Sequence, residues 1–257
     1  MKNRYRLKKW LIYFLLIIFI VGLTYSVINI LVWNKGVKEN ANTKEEIKKE
    51  IKVVENTEKS GDVSQIDYVV NFTKLKEKNS DAVGYLIVKN SNIDYVVVKA
   101  KDNAYYLNHD FNKKNNKVGW IFADFKNKFD GSDKNIVIYG HNTADGSMFG
   151  TLKNVFNKEW NDSLKEQNAD IYFVTSKGTE YYKIFSSYSI IPEDYYITTD
   201  FNSISEYSEF LKTIKSRSIY NYGVSVNNND TILTLSTCTK NGTKRVALHA
   251  KKINISE

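Results

Sequence analysis

Residues 231–238, TILTLSTC, and residues 244–250, KRVALHA, flank a short polar turn through Asn241 and Gly242. β-Branched and aliphatic residues fill both runs, and Asn-Gly is a turn dipeptide, so the segment reads as two strands joined by a turn. The chain has one cysteine, Cys238, which therefore stands where a strand ends, and Arg245 opens the next strand. A strand-end thiol is fixed by backbone hydrogen bonds on both sides yet stays open to a substrate, which is how an activated cysteine is presented. The competing fate of a lone cysteine is that of a small buried hydrophobe. Arg245 favours the first reading. Nearly all cationic positions here are lysine and only four are arginine (Arg4, Arg6, Arg217 and Arg245), and a guanidinium supplies a planar donor fork that lysine lacks.

Outward from this pair, β-like runs recur at residues 84–89, 94–99, 118–124, 135–139, 170–175 and 180–191, separated by Asn, Gly and Asp turns. With 231–237 and 245–251 they predict a mainly β domain, a closed or nearly closed eight-stranded barrel. An N-terminal helix is expected where Ile66, Val69, Val70, Phe72 and Leu75 recur at helical spacing, ending at residues 79–81. A second helical piece is expected at 147–160. A third, at 203–216, carries Ile204, Tyr207, Phe210, Leu211 and Ile214 on one face and lies in the long loop before the cysteine strand, where it would wall the site.

The chain of 257 residues is long enough for a membrane segment, a spacer and one catalytic-size domain. Residues 10–33, WLIYFLLIIFIVGLTYSVINILVW, carry no charge and at ~1.5 Å per residue exceed a ~30 Å hydrocarbon core. The run is longer than a signal-peptide core and no small-x-small cleavage site follows, so an uncleaved signal-anchor is expected. Residues 1–9 form a basic tail, placing the N-terminus in the cytoplasm and the remainder outside a single-pass membrane protein. Residues 34–62 balance seven lysines against seven acidic residues and read as a solvated stalk, disordered or partly helical. Residues 63–257 then form the catalytic domain. The formal charge of +8 owes five to the basic tail, leaving +3 for the rest. With no aromatic-basic interleaving, no zinc spacing and no calcium loop, no nucleic-acid partner, metal or other cofactor is expected.

A cysteine nucleophile needs a base, and three histidines compete for the role. His141 leaves a strand-like run through Gly140, His249 shares a strand face with Arg245, and His109 lies in a loop. Each has a structural alternative as a hydrogen-bonded imidazole.

Residues 139–150, YGHNTADGSMFG, residues 233–238, LTLSTC, and residues 245–250, RVALHA, closely resemble the sortase family. Residues 79–84, 93–97 and 102–109 (NSDAVG, IDYVV and DNAYYLNH) look like its class B, as does the helix before the cysteine strand. The similarity runs from about Val63 to the C-terminus. It implies a Gram-positive cysteine transpeptidase on the extracytoplasmic face of the membrane. Such an enzyme cleaves the C-terminal sorting motif of secreted proteins and transfers them to a peptidoglycan amine. His141, Cys238 and Arg245 would be the catalytic three, and His249 a structural residue. Asn103, Leu107, Tyr196, Ile197 and Ser236 would bind substrate. Ser236 is also placed there by geometry, since residues two apart on a strand share a face and it should line the groove of Cys238. Two other readings stand beside this one. A hydrolytic cysteine peptidase could use the same trio with water as acceptor, and a membrane-tethered binding or adhesion module would carry an incidental cysteine.

Overall fold

A computed structural model describes residues 8–56, 65–165, 167–239 and 241–254. Most of the basic tail (1–7) and the expected boundary between stalk and domain at 62/63 lie outside the described residues.

Eight strands close into a barrel in the order β10-β8-β7-β3-β4-β5-β6-β9. They are β3 (Ala82–Val88), β4 (Asp94–Val98), β5 (Phe122–Ala123), β6 (Asn135–Tyr139), β7 (Ile171–Thr175), β8 (Gly178–Ile190), β9 (Ile232–Cys238) and β10 (Arg245–Ile253). The barrel, the mainly β class and the helix before the cysteine strand agree with the sequence reading. Strand closure leaves no free edge, and the interior is filled by aliphatic and aromatic side chains including Leu86, Trp120, Phe173 and Leu235, all buried. Most pairings are antiparallel, but β6 runs parallel to β9, with Tyr139 opposite Ser236, and β5 runs parallel to β4.

The helices differ from expectation in detail. The amphipathic stretch from Ile66 to Leu75 divides: Gln65–Val70 is β2, paired antiparallel with β1 (Ile51–Asn56) in a two-stranded sheet outside the barrel. Ile66, Val69 and Val70 satisfy strand as well as helix spacing, and the helix α2 (Phe72–Lys78) starts only where Asn71 caps it by accepting from Lys74 N. The piece expected at 147–160 opens with an irregular turn. A 3-10 turn (Leu152–Phe156) then leads to α3 (Lys158–Ser163), whose cap Asn157 accepts from Glu159 N and Trp160 N. The helix α4 (Ile204–Ser216) falls where predicted. Ser203 accepts from Glu206 N, and the Glu206 carboxylate reaches back to Asn202 N. Tyr207, Phe210, Leu211 and Ile214 are buried against Phe185, Tyr188, Ile232 and Ala247 in a second core on the outer barrel wall, whereas Ile204 is exposed.

The largest departure concerns residues 34–48. They continue a single 40-residue helix, α1 (Lys9–Lys48), the helical alternative for the stalk, but with one face buried where a solvated spacer is expected from the sequence. Its first half is apolar, exposed and long enough to cross a membrane. Its second half lies on the barrel, with Gly36, Asn40, Thr43 and Ile47 buried and Trp33 and Val37 packed against the core.

Candidate active site

The parallel pairing of β6 with β9 sets the geometry. Tyr139 lies opposite Ser236. Two residues further along each chain come His141 and Cys238, so both leave the barrel at the same rim. Three bonds hold the exits together. Gly140 N donates to Ser236 O at 3.3 Å, Thr237 Oγ1 donates to Gly140 O at 2.7 Å, and Asn142 Nδ2 donates to Cys238 O at 2.9 Å. A Cβ at Gly140 would stand 2.4 Å from Ile121 Cδ1, so only glycine lets the histidine turn pack this closely.

On the other side β9 and β10 form the expected hairpin, and Arg245 pairs directly with Cys238. Gly242 takes a φ of +72° in the turn, and Thr239 N donates to Lys244 O at 2.9 Å. The thiol of Cys238 is half-buried and forms no disulfide.

A cleft of about 580 Å³ opens at this rim. It brings together all eight residues named from the sequence: Asn103, Leu107, His141, Tyr196, Ile197, Ser236, Cys238 and Arg245. Phe122, Tyr139, Thr237 and the loop residues Pro192, Glu193 and Asp194 also line it and were not anticipated.

The neighbours of each group restrict its chemistry. His141 Nε2 lies 2.8 Å from Leu107 O. A carbonyl only accepts, so Nε2 carries the hydrogen and Nδ1 is the nitrogen left to exchange a proton. The Leu107 side chain is 42% exposed, an apolar surface at the cleft edge rather than core. Tyr196 is buried in the second core and its hydroxyl lies 2.8 Å from Ser236 Oγ. Burial pushes the Tyr196 phenol up, opposed by its bond to Ser236 and by the nearby Arg245 charge. Asn103 is tied locally: Nδ2 donates to Asp124 Oδ2 at 2.8 Å and Oδ1 accepts from Phe125 N at 3.0 Å. Tyr139 donates to the same Asp124 oxygen at 2.7 Å, and burial with the adjacent carboxylate pushes its phenol well up. Asp124 thus pins two cleft-lining residues, a role that no spacing in the sequence signals.

The two other histidines are engaged elsewhere. His109 stacks on Tyr105 with ring centroids 4.0 Å apart, and its Nδ1 lies 2.8 Å from Tyr105 O. His249 is fully buried between Thr234 Oγ1, 2.8 Å from Nδ1, and Tyr188 Oη, 2.9 Å from Nε2. Burial, with the nearby Arg217 charge, holds its pKa down to about 3 from an ordinary 6.5. The unfolded chain therefore binds a proton that the folded chain refuses between these values. The resulting stability is complete above pH 6.5 and is lost as pH falls toward 3. Thermal unfolding should show Tm of the wild type dropping between pH 7 and 4.5, and His249→Gln flattening that slope. Equal slopes would mean that the imidazole does not set it.

Comparison with known proteins places this geometry in a family. Residues 86–253 match the sortase domain. The chain is 37% identical over 166 residues to sortase B of Listeria monocytogenes, an alignment covering 64% of this chain and 65% of that protein. It therefore spans just under two thirds of that relative's length. To sortase B of Staphylococcus aureus it is 35% identical over 188 residues, covering 72% and 75%. A crystal structure of sortase B from Bacillus anthracis superposes with a TM-score of 0.72 at 31% identity, covering 87% of this chain and 98% of that one. A closed eight-stranded barrel, a solitary cysteine at a strand end and these relatives together establish that the chain belongs to the sortase family of cysteine transpeptidases, in its class B.

Proposed function

We propose that this chain is a membrane-anchored transpeptidase that cuts a C-terminal sorting motif in secreted proteins and joins them to a peptidoglycan amine. The observation that carries the reading is the shared rim: Cys238 directly opposite Arg245 on one side and the His141 turn bonded to the Cys238 carbonyl on the other. The Cys238 thiolate attacks the carbonyl carbon of the scissile peptide. Arg245 donates hydrogen bonds to the oxygen on which charge develops. His141, as imidazolium, passes its Nδ1 proton to the departing amine, leaving a thioester on Cys238. An amine of a wall stem or cross-bridge then attacks that thioester, His141 takes the surplus proton, and the new amide leaves with the thiolate restored. Leu107 and Ile197 offer apolar walls to an extended peptide, and the Tyr196–Ser236 pair and Asn103 offer hydroxyl and amide groups beside the thiol.

The full chain mixed with a sorting-type peptide should give a covalent adduct on Cys238 by mass spectrometry. A peptidoglycan-type amine should shift product from hydrolysed acid to amide. A product ratio indifferent to the amine would favour the hydrolytic peptidase reading instead.

The apolar half of α1 and the basic residues before it support an orientation with the barrel outside a Gram-positive cell. The single cysteine makes this directly measurable. A membrane-impermeant maleimide should label Cys238 on intact cells. Labelling that requires permeabilisation would reverse the topology.

A further inference from the structure

The barrel-docked half of α1 ends its contacts close to the imidazole. Asn40, 2% exposed, donates from Nδ2 to Gly119 O at 2.9 Å, and its Oδ1 accepts from Asn116 Nδ2 at 3.0 Å. Asn116 Nδ2 also donates to Gly36 O at 3.1 Å, while its Oδ1 accepts from Val118 N at 3.0 Å. Gly36 is required for this approach, because a Cβ there would meet Asn116 Oδ1 at 2.3 Å. The two amides thus clamp helix to loop with their bonds satisfied, in a place where an unpaired amide would be costly.

Gly119 forms the other side of the clamp. With φ at +65° it packs so closely that a Cβ would lie 2.6 Å from Tyr106 O, 2.9 Å from Leu107 O and 2.9 Å from His141 Cδ2. Trp120 N, the next donor along, binds Tyr106 O at 2.9 Å. Leu107 O, one residue on, holds His141 Nε2. From anchor helix to imidazole there are therefore three rigid contacts: an amide, a glycine peptide and a carbonyl.

We propose that Asn40 is a positioning residue for His141. By holding the Gly119 peptide it keeps the Leu107 carbonyl aimed at Nε2, and so fixes both the ring's orientation and the nitrogen that carries its hydrogen. The helix that continues from the apolar segment is then part of the catalytic scaffold and not a tether. This rests on the reading of His141 as the acid–base group. A simple docking contact would affect only stability, whereas a positioning contact must change the ring itself.

The test uses the full chain in lipid nanodiscs with ¹⁵N-labelled histidine, where long-range ¹H–¹⁵N correlations distinguish the tautomers of the three imidazoles. At alkaline pH, where an imidazole is neutral and its tautomers can be told apart, the wild type should show His141 with hydrogen on Nε2. Asn40→Ala should convert this to a mixture of tautomers and lower kcat about 10- to 10²-fold, as expected of small misplacements, with KM within about twofold. Asn40→Leu fills the site without a donor or a buried charge, so it should do the same if the void left by Asn40→Ala makes that variant too unstable to assay. Ile47→Ala, on the same helix but outside the clamp, should lower Tm while leaving kcat and the His141 signal unchanged. A folded Asn40→Ala or Asn40→Leu with wild-type kcat and an unaltered His141 signal would overturn the proposal. His141→Gln is the check on its premise: full activity there removes the acid–base assignment, and the proposal with it. An inactive His141→Gln beside wild-type Asn40 variants defeats only the positioning role.

Discussion

Cys238→Ala should abolish cleavage of a sorting peptide, with kcat falling on the order of 10⁶-fold, the scale seen when a nucleophile is removed from a catalytic unit. The argument is chemical. No other thiol exists in the chain, and the hydroxyls nearest in the cleft are already bonded, Ser236 to Tyr196 and Thr237 to the Gly140 carbonyl. Peptide affinity should stay within about twofold, because the cleft walls are untouched and a sulfur-to-hydrogen change at a half-buried site leaves only a small void. Equilibrium binding of a fluorescent peptide and single-turnover cleavage measure the two halves separately. Retained turnover would mean an incidental cysteine, the expectation of an adhesion module. Lost affinity would mean that the substitution damaged the cleft instead of the chemistry.

Arg245→Lys is the second large effect. Lysine keeps the positive charge and the strand register but presents a single ammonium in place of a fork. Arg245 lies directly across from Cys238, so two guanidinium N–H groups can face the oxygen of a carbonyl seated on the sulfur. Losing one oxyanion donor costs ~10²–10³ in kcat, and that is the range expected for Arg245→Lys. The loss should appear in kcat more than in KM, since charge develops on that oxygen only as the sulfur attacks. The measurement is a steady-state comparison of the two enzymes on one peptide. A lysine variant within threefold of wild type would leave charge alone as the requirement and remove the donor fork from the mechanism.

Most of the barrel was readable because its strands are short, aliphatic and separated by turn residues, and because β9 and β10 are joined by a plain Asn-Gly turn. The α4 helix was readable for the same reason, four buried side chains at helical spacing. Docking of residues 34–48 was not. Asn40 and Thr43 look like solvated positions, and what docks them is hydrogen bonding, Asn40 Nδ2 to the Gly119 carbonyl and Asn112 Nδ2 to the Thr43 hydroxyl, which leaves no apolar periodicity. The split of the expected helix at Ile66–Leu75 was hidden by residues that suit either period, and only the capping Asn71 marks the true start. In the cleft, the sequence pointed to the strand-end groups but not to Asp124, Tyr139 or Asn142. Their importance arises from partners far along the chain, as with Asn142 and the carbonyl of Cys238.

The side-by-side course of β6 and β9 limits how the gene for this enzyme can vary in length. Deleting one codon within β6 would turn the histidine exit toward the opposite face of the strand, because faces alternate residue by residue. Deleting two would restore the face but draw the ring back about 6.6 Å along the strand. Length changes in these strands should therefore survive only when both change together.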